Sequence, residues 1–239
     1  VRDGLAVALN TQTGAGISSS GLTATAGQID LNSTGGITTG TLAAGSGITV
    51  DGTATISLGA LTAGNGVIAV NGTGAATDVI LGGTVQATNG GLLVTQYGID
   101  INAGRDVRVA STSNLTTLSS GGIRLQGARD VNLKVQDSGA SNLANAVTAV
   151  GNLDITTGSG SIFKEDGDVL GISGANVALT AAAAINAFGN ITATAGTVNL
   201  GAGTTLSTAG YTVTAPGNIT LNAPGTVSVI VGTAGTGLK

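Results

Sequence analysis

The chain is distinguished first by the residues that it lacks. Its 239 residues include no cysteine and no histidine, no methionine or tryptophan, and only 2% aromatic residues. Without cysteine, neither a disulfide nor a thiolate metal site can form. Without cysteine and histidine, catalysis by a nucleophile and a neighbouring base has almost no side chains to use. We therefore expect no enzymatic activity, no metal and no cofactor.

Charge and long apolar runs are also scarce. Charged residues make up 8% of the chain, against about 25% in a typical soluble domain. The net charge of −4 is small, so a nucleic-acid partner has no electrostatic support. The longest smooth apolar run, 177–185, is much shorter than the roughly 18 residues that indicate a spanning helix. We predict no nucleic-acid partner and no membrane insertion.

Glycine and branched apolar residues are abundant, and they recur in phase. The 42 glycines and 41% hydrophobic residues form a phrase in which a glycine precedes two branched residues separated by one position. Near the C-terminus, branched residues of this phrase are spaced by 7, 8, 7, 6 and 8 positions, namely Ile191, Val198, Leu206, Val213, Ile219 and Val227. Three such steps make a coil of about 21 residues, and a fixed short period indicates a repeat architecture.

We predict that residues 1–239 form a single domain of the all-β class, a β-solenoid with about 21 residues per coil. Steps of 6–8 residues are short for a β-sandwich, whose strands recur every 8–12 residues or so. Alternation within the strands should place Ile219 and Val227 inside. The alanine-rich segment 179–185 is predicted as strand and corner, and the breaks in the period at 111–120 and 137–147 as longer corners or small insertions.

A longer repeat carries a family resemblance. Residues 103–109 (AGRDVRV) return 24 positions later as 127–133 (GARDVNL), beside related phrases at 151–157 (GNLDITT) and 217–223 (GNITLNA). These phrases resemble the internal repeats of filamentous-haemagglutinin-like exoproteins, the large adhesins that Gram-negative bacteria export by two-partner secretion. Passenger repeats of autotransporters are similar, and the family's N-terminal secretion domain is not visible.

The resemblance implies a right-handed parallel β-helix, secretion to the bacterial cell surface, and a structural or adhesive role. We therefore expect a segment of a larger secreted protein. The strand-forming segments 5–9 and 226–231 carry no charge, and natural solenoids protect their ends with polar caps. We predict that these ends are covered by further coils of the same chain or by end-to-end self-association.

Five of the eight basic residues lie in one stretch: Arg105, Arg108, Arg124, Arg129 and Lys134. One interpretation is a basic patch that binds sulfated or sialylated host or matrix glycans. The other is an outer face in which Asp106 and Asp130 pair with the arginines and keep the rod soluble. We favour the second interpretation and keep glycan binding as an alternative.

Two further patterns have alternative interpretations. Glu165, Asp166 and Asp168 are either oxygen ligands for a cation or a solvated turn, and the absence of a regular calcium-loop spacing favours the turn. Thr-x-Thr pairs occur at 11/13, 23/25, 53/55, 192/194 and 212/214. Aligned threonine pairs on a solenoid would indicate ice binding, which requires the pairs to stack in register over many coils.

Overall fold

The computed structural model describes the chain except for residues 1, 4–5, 12–13, 91–95, 111–112, 136–144, 166–169, 187–188 and 236. The described residues form strands, turns and bends, with no helix among them. No described segment is therefore a helix able to cross a bilayer. The all-β class predicted from composition and period is confirmed.

The strands, in chain order, are β1 (Arg2–Asp3), β2 (Val7–Thr11), β3 (Ile17–Ala24), β4 (Ile29–Ser33), β5 (Ile37–Ala44), β6 (Ile48–Gly52), β7 (Ile56–Leu58), β8 (Leu61–Ala63), β9 (Ile68–Gly72), β10 (Val79–Leu81), β11 (Val85–Asn89), β12 (Tyr97–Ala103), β13 (Val107–Ala110), β14 (Leu115–Ser120), β15 (Gly122–Gly127), β16 (Val131–Val135), β17 (Asn145–Thr148), β18 (Leu153–Thr157), β19 (Ile162–Phe163), β20 (Leu170–Gly174), β21 (Val177–Ala181), β22 (Ile185–Asn186), β23 (Ile191–Ala193), β24 (Val198–Ala202), β25 (Leu206–Ala215), β26 (Asn218–Asn222), β27 (Val227–Ala234) and β28 (Gly237–Leu238).

These strands stack into three parallel ladders, each receiving one strand from each coil. Ladder 1 is an eleven-stranded sheet of β2, β4, β6, β9, β12, β15, β18, β21, β24, β26 and β28. The other strands form one sheet of two ladders. Ladder 2 contains β7, β10, β13, β16, β19 and β22, and ladder 3 contains β1, β8, β11, β14, β17, β20 and β23. The longer strands β3, β5, β25 and β27 join ladders 2 and 3 near both ends. The molecule is a β-solenoid.

The core consists of the inward-facing branched residues of all three ladders. The six residues that define the C-terminal period follow the ladders in the order 3, 1, 2, 3, 1, 2. Ile219 is fully buried, as predicted. The prediction for Val227 is wrong: it is 44% exposed, because β27 has a paired strand on one side only in the described structure.

Coil length varies along the rod. Val177, Val198 and Ile219 stack directly in ladder 1, so the C-terminal coils have the predicted length. In the middle, Ile68 pairs with Ile99, and the coil that these two residues close is longer by almost half. The longer corners or small insertions predicted at 111–120 and 137–147 are partly wrong, because β14 lies within the first stretch, β17 begins in the second, and both continue ladder 3. Residues 111–112 and 137–144 lie outside the described residues.

Glycine at the corners permits the close stacking of coils. A Cβ atom added to Gly203, just after ladder 1, would lie 1.9 Å from the carbonyl oxygen of Ala182 in the preceding coil. That distance is far below van der Waals contact, so only glycine fits there without moving the backbone. The alanine-rich segment is strand and corner, as predicted, since β21 and β22 lie within or beside it.

Candidate functional site: the charged corner and the outward columns

Three aspartates stack at the corner that precedes ladder 2. The carbonyl oxygens of Asp78, Asp106 and Asp130 accept hydrogen bonds from the N–H groups of Ile56, Val79 and Val107 respectively, each one coil earlier, at 2.9–3.0 Å. Because each aspartate directly precedes the first residue of a ladder-2 strand, the backbone places the three carboxylates above one another. We call this stack the aspartate corner.

The first arginine in each copy of the repeated phrase pairs with an aspartate of the coil before it. Arg105 donates from Nε to Asp78 Oδ1 at 2.6 Å and from Nη2 to Oδ2 of the same carboxylate. Arg129 pairs in the same way with Asp106, with Nε 2.9 Å from Oδ1. Two-pronged pairing of this kind is the strong form of the arginine–carboxylate contact. Positive and negative groups therefore alternate along the corner, which removes the repulsion expected between stacked arginines.

The last aspartate of the corner is bound from both sides. Asp130 Oδ1 accepts the N–H of Ser161 in the next coil at 2.7 Å, and its Oδ2 lies 3.1 Å from Arg129 Nε. At the other end, the hydrogen bond from Arg105 lowers the pKa of Asp78 below its ordinary value, more than burial raises it. The hydrogen bond with Arg105 therefore favours the ionised form of Asp78.

Arg124 lies apart from this corner, on the outer face of ladder 1. It stacks between Asp100 and Asp154 and donates to Asp100, with Nε 2.8 Å from Oδ1. The ring of Tyr97 covers its guanidinium group, 4.7 Å from Cζ to the ring centroid, and the Tyr97 hydroxyl donates to Asp154. Burial, followed by the contact with Asp154, raises the pKa of Tyr97 to about 12.

The two remaining basic residues differ in exposure. Lys134 is fully buried, with 0% of its surface exposed, so it is not part of an external patch. Arg108 is half-buried in ladder 2, in a cleft of about 100 Å³ whose walls include Asp130 and Glu165. The five predicted basic residues are thus distributed over a corner, two outer faces and the interior, and three of them are paired with aspartates.

The acidic stretch is described only in part. Glu165 is exposed, whereas Asp166 and Asp168 lie outside the described residues. In the part of the chain that is described, no group of three acidic, histidine or cysteine residues is arranged to hold a metal.

Outward hydroxyl residues form a long column on ladder 3. From β14 to β27, six successive coils place a hydroxyl residue at one outward position, and we call this set the hydroxyl column: Thr116, Thr148, Ser173, Thr192, Thr214 and Thr233. Since Thr192 stacks on Thr214, the pairs 192/194 and 212/214 are offset by two positions. The pair-on-pair register required for ice binding is therefore not formed by these two pairs.

Sequence reasoning missed half of the aspartates that pair with arginines. It did not identify Asp78 or Asp100 as partners of the arginines, nor Tyr97 as the cover of Arg124 and the hydrogen-bond donor to Asp154. The sequence did contain a signal for Asp78. The pair Asp-Val at 78 recurs at 106 and 130, and these pairs mark one corner of successive coils. Tyr97 and Asp154 are 57 positions apart, and no local pattern connects them.

Comparison with known proteins adds no relative. No protein-family model, curated protein or solved structure matches the chain. The arrangement of the site is therefore interpreted from its own geometry.

Proposed function

We propose that this chain is a structural and adhesive β-solenoid, a segment of a secreted bacterial surface or filament-forming protein. The observation that carries the proposal is the exposure of inward positions in the last described coil. Val227 and Leu238 continue inward columns whose previous members, Leu206 and Ile219, are 0% exposed, yet they are themselves 44% and 58% exposed.

The outer edge of this final coil can pair with another strand. In the described structure β27 pairs only with β25, and β28 pairs only with β26. Unpaired edges of this kind template further strand pairing. A coil in register with β27 and β28 would bury Val227 and Leu238 and extend the ladders. We propose that this coil comes from the same chain or from a second copy that joins end to end.

The internal pairing of charge supports a structural role rather than a catalytic one. The arginines at the aspartate corner and on ladder 1 are bound by aspartates of adjacent coils. Binding of an anionic glycan to Arg105, Arg124 or Arg129 would have to replace these pairs, so we favour the rod over the glycan-binding alternative. The offset threonine pairs likewise give ice binding no specific support.

Electron microscopy of the purified protein tests the proposal. We expect rods that join end to end at high protein concentration. Val227→Lys should abolish joining, because it places a charge on the interior side of the last coil. Ser228→Lys is the matched control, since it lies one position away on the outer side of the same strand. Single rods of unchanged length at every concentration, or equal effects of the two variants, would contradict end-to-end joining.

A further inference from the structure

A second outward column, on ladder 1, consists of planar polar side chains. In six successive coils the penultimate strand position, which faces outward, holds an amide or a carboxylate, and we call this set the amide column: Asn10, Asn32, Asp51, Asn71, Asn102 and Gln126. Asn and Asp are depleted in strands because they fit a pleated surface poorly. Their recurrence within strands over successive coils therefore requires a reason.

Mutual hydrogen bonding of stacked amides is one structural reason, but it accounts for a single pair. Asn71 donates to Asp51 at 2.8 Å. Asn10, Asn32, Asn102 and Gln126 form no hydrogen bond with any other residue through their side chains in the described structure. By contrast, Asn176 donates to Asn152 at 2.9 Å elsewhere in the solenoid.

Turn formation is the other structural reason, since Asn and Asp side chains often bond their own backbone two residues on. That contact is absent for the four unpaired amides in the part of the chain that is described. After β4 the bend is bound instead by Ser33, whose Oγ accepts the N–H of Gly35 at 3.1 Å. Neither stacking nor turn chemistry explains the whole column, and its four unpaired amides have donors and acceptors that bond no other described residue.

Both ends of the amide column border open grooves. The first groove, of about 280 Å³, is lined by Asn10, Asn32 and Asp51 together with Asp30, and the small side chains of Ala8 and Thr49 leave room in it. The second, of about 500 Å³, is lined by Asn102, Gln126 and Thr156 above a floor that includes Gly104 and Gly127. The unpaired amides therefore border shallow, open depressions that an extended ligand can enter.

The spacing between successive side chains of the amide column favours one kind of ligand. Its side chains recur along the rod at the strand spacing of about 4.8 Å, and each amide offers two donors and an acceptor. An extended chain of β-1,4-linked hexoses advances by a similar distance per sugar and presents hydroxyls at each step. A peptide strand advances by only about 3.3 Å per residue and would lose register.

The carboxylates in and beside the amide column favour an uncharged ligand. Asp51 lies within the column and Asp30 beside it, and both would repel an anionic chain. The nearest arginine on this ladder, Arg124, is already paired with Asp100. We propose that the amide column of ladder 1 binds an extended, uncharged β-1,4-linked polysaccharide along the solenoid axis, with one sugar over each coil. This inference rests on the adhesive part of the function proposed above.

Binding to microcrystalline cellulose and chitin, with calorimetric titration of cellohexaose, tests the inference. We expect the native protein to bind these chains and not to bind heparin or starch. The triple variant N32A/N102A/Q126A should weaken binding at least tenfold. The matched control T116A/T148A/T192A removes the same number of outward side chains from the hydroxyl column and should leave affinity within twofold. The single variants Asn32→Ala and Gln126→Ala give the same answer if the triple variant does not fold.

The inference is overturned if the native protein binds neither cellulose nor chitin, if heparin is the only polymer retained, or if both triple variants weaken binding equally. Electron microscopy of the same samples separates the two proposals. Rods that join but bind no polysaccharide contradict only the amide column. Polysaccharide binding without any joining contradicts only end-to-end assembly.

Discussion

The middle of the rod and its C-terminal coils have the same interior and different exteriors. Inward residues such as Ile155 in the middle and Leu179 nearer the C-terminus are both fully buried. Outside, residues 78–168 contain all the charged residues except Arg2, Asp3, Asp30, Asp51 and Lys239. The C-terminal coils carry threonine, serine and asparagine instead. The solenoid therefore does not require charge to stack.

The middle of the rod, which carries most of the charged residues, also contains longer coils than the C-terminal part. The short C-terminal coils turn directly from one ladder to the next, whereas Ile123 and Leu153 in the middle enclose a coil that is longer by almost half. The paired arginines and aspartates lie between Ile68 and Leu153, in two such long coils and the slightly shorter coil between them, and they bind adjacent coils to each other. We infer that the ion pairs compensate for corners that are less regular than those of the short coils.

A buried charge should have the largest effect, and its position should matter. Ile155→Asp places an unpaired carboxylate between Leu125 and Leu179, at a cost of several kcal/mol. Ile219→Asp should cost less in global unfolding, because the last coils can open separately in a stack of nearest-neighbour contacts.

Urea unfolding monitored by circular dichroism compares these two variants. The Ile155 variant should unfold at a much lower midpoint. The Ile219 variant should show a local transition with the main midpoint shifted less. Equal midpoints would show that the coils unfold as one cooperative unit, and an unchanged Ile219 variant would contradict the inward direction assigned to that residue.

Loss of a corner aspartate should have the next largest effect. Asp106→Ala removes the partner of Arg129 and an acceptor of the Asp130 N–H, which should cost about 2 kcal/mol. Thr205→Ala changes the same corner position in an uncharged coil, where the backbone contact with Ile185 remains, and should cost less than about 0.5 kcal/mol. Denaturant midpoints measure both, and similar losses would mean that the corner geometry, not the charge, stabilises the middle.

The strands and inward residues of the short coils could be predicted from the sequence. The phrase of glycine and branched residues predicted the strands of the C-terminal coils and the inward direction of Ile219, because every short coil imposes the same spacing. It failed for Val227, since burial there depends on a coil that must stack above it. It also failed at β14 and β17, which long corners displace from the period.

The side chains outside the core were harder to predict. Arg105 and Arg129 were recognised as equivalent because the phrase around them repeats almost unchanged. The amide column was not recognised, because its members are separated by whole coils of unequal length. Outward residues become neighbours only through the register, which local patterns do not determine when corners vary.

Acid should weaken the charged middle before the uncharged coils. The folded pKa of Asp78 lies below its ordinary value of 3.8, chiefly through its hydrogen bond with Arg105. Its contribution to stability is therefore present above pH 3.8 and is lost as the pH falls through that value toward the folded pKa. Asp78→Asn should be less stable than the native protein near neutral pH, and the gap should narrow in strong acid. A gap independent of pH would show that the carboxylate charge does not stabilise the corner.

The smallest expected effect concerns Tyr97, the aromatic residue that bridges coils in the charged middle. Its hydroxyl donates to Asp154, and Tyr97→Phe should cost about 1 kcal/mol at neutral pH. Because the folded pKa of Tyr97 is raised to about 12 from 10.0, the contribution of its hydroxyl to stability is present below pH 10 and is lost as the pH rises through 12.

In a Tyr211→Phe background Tyr97 is the only tyrosine, so phenolate absorbance reports the titration of Tyr97 alone. We expect a midpoint near pH 12 in the folded protein and near 10 in urea, and a folded midpoint near 10 would mean that Tyr97 does not close over Arg124 in solution.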